Sequence, residues 1–383
     1  MPTPLPTDDV NLQPPAADEV VATARGVLGA VAGEGSLTEV QRSVLSAHFA
    51  AMTGVAVDVR HLEPAGPDEL GRTLARRNAA FRSRIVQVML LAAFVVTPLP
   101  PSTAARIGDY ARELSVDDSM IPVAQRMADG ALGLVVADFN RAGYHVGPDV
   151  ALAEVLHVDG PAPEGWTAVE DDPELAERWE QLGDLAAGTL GRRVWEFYRA
   201  RGFEFPGRPG SAPPLLAQHD WIHVLADYGS TVEAEIEVFG LISRANDDPR
   251  GFSLLAMVLG LFETGLVRTG AGLFSYDPRH LSADAARMAT RLADALYRGA
   301  LVGAHFGGRD LLTVDWFALA DQPVPEVRDR LGLPPKAAAA VEAGSVGPWQ
   351  PGGISEYQLG AGRAAAERRR EPYDSYGAAL APA

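Results

Sequence analysis

Gln218-His219-Asp220-Trp221-Ile222-His223, then Asp227-Tyr228-Gly229-Ser230 and, further on, Glu235: this run decides both the fold class and the chemistry of the chain. His219 and His223 are four apart, so on a helix they project from one face a turn apart, the arrangement in which two imidazoles hold one metal ion. Asp220 sits about 100° round the same helix, placed as an oblique ligand or as an acceptor that fixes an imidazole tautomer. Gly229 supplies a left-handed helix end, and Ser230 with Glu233 opens the next helix as a capping box, which predicts an antiparallel helical hairpin. His223 lies six residues before Gly229 and Glu235 six after it. Each then stands about 9 Å along its helix from the turn, so the two face each other. Glu235 completes a set of two histidines and two carboxylates, with room on the ion for water or substrate.

Outward from the hairpin, helical periodicity continues in both directions. Upstream it covers 175–201, and downstream 232–244, 252–267, 283–302 and 325–331. A separate set begins near Glu19 with Val20, Val21, Ala24, Leu28 and Val31. Ser36-Leu37-Thr38-Glu39 then reads as a capping box before Leu37, Val40, Val44, Leu45 and Phe49. Further patterns follow at 70–80, 84–96, 103–114 and 121–142, with Pro98, Pro100 and Pro101 stopping the second of these. No alternating strand pattern persists, so the expected class is all-α, with two helical domains and disordered tails. The expected boundaries are a tail over 1–17, a helical domain over 18–145, an acidic Gly/Pro-containing linker over 146–172, a second helical domain over 173–334 and a tail over 335–383.

Composition narrows the function. Among 383 residues, acidic side chains outnumber basic ones 50 to 33, a net charge of −17 that sets the protein's own field against a broad nucleic-acid surface. There are no cysteines, so disulfides, thiolate nucleophiles and Cys-ligated zinc or iron–sulfur sites are excluded, and any metal must sit on His, Asp or Glu. The first fifteen residues are Pro-rich and acidic, unlike a signal or transit peptide, and the apolar stretches at 85–96 and 252–262 are shorter than the roughly 20 residues a bilayer span needs. The expectation is a cytoplasmic protein with peripheral membrane contact open to it.

His219, Asp220 and His223, with eleven residues before Glu235, resemble the motif of the coenzyme Q biosynthesis Coq-four family. The likeness extends to Leu190-Gly191-Arg192 with Phe197-Tyr198, to Arg298-Gly299 and to Val327-Arg328-Asp329-Arg330-Leu331-Gly332, and spans about 175–333. It implies a helical protein whose motif residues bind a divalent metal, usually zinc, with iron or manganese as alternatives. It also implies an apolar channel for a polyprenyl chain, and chemistry at the ring carboxyl carbon of a prenylated aromatic acid during quinone synthesis. The implied partners are a prenylated lipid or quinone precursor, a biosynthetic protein complex and a second copy of the chain. More weakly, the first helices with the Gly33-Glu34-Gly35 turn resemble the TerB-like domain of tellurite-resistance proteins. Glycine stands there where that family has its first acidic residue, so packing or partner recruitment is the expected role.

The stretch 252–262 is apolar on every face except at Ser253, which predicts a helix that is buried or lines a greasy cavity. Within it Ala256 and Gly260 are small residues four apart, leaving space on one face for a prenyl chain. Glu263 follows directly and must be paired, protonated or open to a cavity, which makes it a third substrate-site candidate. Glu154 and His157 match half of a di-iron motif but lack a second copy. Three functions fit: a metal-dependent decarboxylase or hydroxylase, a non-catalytic prenyl-lipid scaffold with a structural metal, and a His-Asp phosphohydrolase for which further ligands are missing.

Overall fold

The computed structural model describes residues 17–32, 35–55, 57–95, 101–117, 171–209, 211–212, 214–246, 255, 258–259 and 284–378. These residues are all-α, and among them no strand forms beyond one isolated bridge between Thr189 and Pro323. The 121–142 helix, the linker up to residue 170, the first sixteen residues, Glu154, His157, Ala256, Gly260 and Glu263 lie outside the described residues.

The first half holds α1 (Ala17–Ala32), α2 (Glu39–Thr53), α3 (Pro67–Thr73), α4 (Ala79–Phe94) and α5 (Pro101–Glu113). α1 buries Val20, Ala24, Leu28 and Val31 as the periodicity predicts, whereas Val21 is exposed. The start of α2 corrects the expected cap: Thr38, not Ser36, accepts from the backbone of Gln41, whose side chain bonds back to Thr38. Gln fills the third position of a capping box as well as Glu does, so the motif slides two residues. Pro101 is the first residue of α5 and does not merely end α4, because its missing N–H costs nothing in a first turn.

The second half holds α6 (Pro173–Glu180), α7 (Leu190–Arg201), α8 (Pro214–Ala226), α9 (Val232–Ala245), α10 (Ala285–Phe306) and α11 (Val324–Leu331). The predicted single helix over 175–201 is two helices, separated by a tight turn where Gly188 takes φ +86°. α9 and α10 pack most closely. A Cβ at Gly299 of α10 would lie 2.3 Å from the Leu241 carbonyl oxygen, so only glycine allows this approach. α2 also packs along α10, and one continuous apolar core runs from Val20 in α1 to Leu333. The two halves on either side of the expected linker share that core.

The expected disordered tail over 335–383 is wrong for residues 335–378. They form α12 (Ala338–Glu342), a series of turns and α13 (Glu356–Arg369), which packs on α7. The sequence hides this docking because α13 buries small side chains, Gly362, Ala365 and Ala366, with Leu359 and Gln358. It is held by close backbone approach and by ties such as Tyr373 Oη donating to Ala200 O at 2.8 Å.

Candidate metal centre

α8 and α9 form the predicted antiparallel hairpin, though its turn is built differently. Asp227, at φ 59°, takes the left-handed position expected of Gly229. Aspartate tolerates that region through its short polar side chain. Gly229 is needed for space instead, since a Cβ there would fall 2.7 Å from the Gly353 Cα. Thr231, not Ser230, caps α9, its side chain accepting from Ala234 N at 3.4 Å. Ser230 is buried and bonded to the side chains of Arg201 and Gln358.

The hairpin brings His219, His223 and Glu235 together, one ligand atom of each lying within 4.8 Å of the others. His223 Nε2 stands 3.3 Å from Glu235 Oε1, and His219 Nε2 stands 3.5 Å from Glu235 Oε2. All three side chains are buried, with relative exposures of 0%, 1% and 3% in chain order. Asp220 is equally buried but outside this triad. Its Oδ1 is 3.7 Å from His219 Nε2, while its Oδ2 accepts a 2.5 Å hydrogen bond from Tyr198. It therefore borders the ligand set, bound to a tyrosine on α7.

The protonation of His223 follows from its other ring nitrogen. Nδ1 lies 2.6 Å from the Gly229 carbonyl oxygen, which can only accept, so Nδ1 carries a proton. In the neutral ring the Nε2 lone pair then points at an anionic carboxylate oxygen, two acceptors facing each other. Neither His223 Nε2 nor Glu235 Oε2 has a hydrogen-bond partner among the described residues. Buried acceptors in this arrangement require a cation between them, either a proton on the ring or a metal ion. With neutral imidazoles, an ionised Asp220 beside Glu235 would bring the carboxylate charge to −2, which one divalent ion cancels. Burial alone would push the Glu235 carboxyl up, but a proton taken up by His223 or His219 outweighs it and holds the group well below the usual carboxylate range. Its place in the first turn of α9 also favours the anion.

Aromatic rings fix the two imidazoles. Phe197 stacks on His223 with centroids 5.4 Å apart, and Phe239 stacks on His219 at 5.3 Å. These rings and Tyr198 were not assigned a role by the sequence. Phe239 could have been found, since it follows Glu235 by four and so shares its helix face. Phe197 and Tyr198 belong to a pattern noted only for its likeness. Of the substrate candidates, none can be placed, although their described neighbours Leu255, Val258 and Leu259 are helical and buried. No described helix is long and apolar enough to cross a membrane.

No family model and no curated protein matches the chain. Among solved structures it is similar to a candidate ubiquinone biosynthesis protein from Nostoc punctiforme PCC 73102, with 19% identity and a TM-score of 0.29, over 66% of this chain and 97% of that one.

Proposed function

We propose that His219, His223 and Glu235, with Asp220 beside them, hold one divalent metal ion in a protein of quinone or prenyl-lipid biosynthesis that acts at the ring carboxyl carbon of a prenylated aromatic acid. The observation that carries the metal is the His223 ring: its Nδ1 is committed to Gly229 O, so its Nε2 lone pair meets the Glu235 carboxylate. The substrate class rests on the resemblance of the motif to that of the Coq-four family. Zinc suits the nitrogen and oxygen donors, with iron or manganese as alternatives.

A bound divalent ion supplies a Lewis acid that steadies negative charge as the carboxyl group leaves. The chain's own part is positioning. Phe197 and Phe239 hold the imidazole planes, Gly229 O sets the His223 tautomer, and Tyr198 keeps a proton on its hydroxyl next to Asp220. Ala256, Gly260 and Glu263 are the residues the sequence offers for the prenyl chain.

The burial of every ligand side chain favours a second reading, in which Asp220 closes the ion's coordination and the metal is structural in a lipid-presenting scaffold. Elemental analysis is expected to find about one divalent ion per chain, absent after His219→Ala with His223→Ala. Full occupancy in the double variant would refute the site. Lipid extraction with mass spectrometry tests the ligand class, and turnover of an extracted lipid by the purified protein separates enzyme from scaffold.

A further inference from the structure

The hydrogen bond that fixes His223 depends on one carbonyl, that of Gly229, in the turn between α8 and α9. A turn of this kind is ordinarily solvated and free to reorient. Here it is surrounded by the C-terminal segment. Gly229 N donates to Val346 O at 2.9 Å, and Ser230 N donates to Gly353 O at 2.9 Å. The Ser230 carbonyl accepts from Gln358 Nε2 at 3.0 Å, and its hydroxyl donates to Gln358 Oε1 at 2.8 Å. Arg201, fully buried, donates through Nε to Ser230 Oγ at 2.5 Å and through Nη2 to Pro348 O and Gly353 O, both at 3.1 Å. Its guanidinium carbon lies 3.7 Å over the centroid of Phe197, the ring that stacks on His223. The Gly229 and Ser230 amides and the Ser230 carbonyl and hydroxyl are thus taken by residues 346–358, leaving the Gly229 carbonyl aimed at the imidazole.

From this we infer that residues 346–358 form a clamp that sets the tautomer and direction of His223, with Gln358, Ser230 and Arg201 as positioning residues. The clamp follows from the hydrogen bonds alone, and its consequence for metal affinity rests on the metal reading. Gln358 lies more than a hundred residues beyond the ligands and outside the span of the motif likeness, so the chain carries its own outer support for the site. Loss of such an outer partner typically weakens metal binding about 10–100-fold.

The test uses the full chain with isotope-labelled histidine, stripped of metal by a chelator. Long-range proton–nitrogen correlation of the rings, with His223 assigned by its loss in His223→Gln, is expected to show Nδ1 protonated in the parent. Gln358→Ala and Ser230→Ala should each loosen the Nδ1–H bond to the Gly229 carbonyl and shift the His223 Nδ1 resonance, whereas Tyr373→Phe, which removes a tie of the same segment to Ala200, should not. Unchanged His223 signals in Gln358→Ala and Ser230→Ala would overturn the clamp, as would an equal change in Tyr373→Phe. Titration with cobalt(II) forms the second arm, and the two clamp variants should bind about 10-fold more weakly than the parent. A parent that binds no cobalt would refute the metal reading, while the ring signals would still decide the clamp.

Discussion

Helix α9 carries two buried glutamates two residues apart, and they are served differently. Glu237, 1% exposed, faces α10 and receives Arg291 Nη2 at 2.6 Å, a permanent cation supplied by the fold. Glu235, 3% exposed, faces α8 and meets two imidazoles at 3.3 and 3.5 Å, one of which has already committed its Nδ1 proton elsewhere. Desolvation costs both carboxylates alike. One side of the helix is an ion pair already made, joining α9 to α10 through Glu237 Oε2, with Glu237 Oε1 and Arg291 Nε left without hydrogen-bond partners among the described residues. The other is a donor set that becomes complete only when a cation arrives.

The largest effect should come from breaking the ion-paired side. Glu237→Ala leaves the Arg291 charge buried without its partner and should cost about 3–5 kcal/mol, seen in urea or thermal unfolding. The metal content of whatever chain remains folded should not change. A variant as stable as the parent would remove the distinction between the two glutamates.

A third buried group, His48 on α2, separates charge from burial. Desolvation, helped by the nearby Arg244 and Arg84 charges, outweighs its Val44 backbone bond and lowers its pKa from 6.5 to about 3. It stays neutral in the folded chain while the unfolded chain takes up a proton below pH 6.5. The unfolded state therefore binds more protons between those values, so this contribution to stability is intact above pH 6.5 and is lost as the pH falls, by about 1.4 kcal/mol per pH unit. From pH 6.5 to about 5 the parent should lose roughly 2 kcal/mol more than His48→Gln does. Parallel unfolding curves for the two proteins would contradict that assignment.

The smallest expected effect acts on both sides of α9 together. Thr231 caps the helix that carries Glu235 and Glu237, and Thr231→Ala should cost about 1 kcal/mol in unfolding experiments.

The helical class, the hairpin and the meeting of His223 with Glu235 were legible in the sequence because each rests on a period of 3.6 and a count of residues to a turn. The turn itself was misread. Glycine is the usual left-handed residue, yet Asp227 adopts that conformation and Gly229 serves close packing against Gly353, a long-range contact that local sequence does not encode. The same limit hid the C-terminal segment. α13 docks through Gly362, Ala365 and Ala366, whose contribution is proximity and not apolar bulk, so its periodicity is faint. Asp220 carried two readings, ligand or acceptor, and Tyr198 on α7 supplies the partner that no spacing within α8 could show.

Zinc titration into the chelator-stripped full chain, comparing the parent with Glu235→Gln and Glu237→Gln, tests the central claim most directly. The parent should bind one ion per chain, and Glu237→Gln should bind it with the same affinity. Glu235→Gln should lose at least the roughly 10–100-fold that removal of a mere outer partner costs. A parent that takes up no zinc, or a Glu235→Gln chain that binds it as tightly as the parent, would contradict the account.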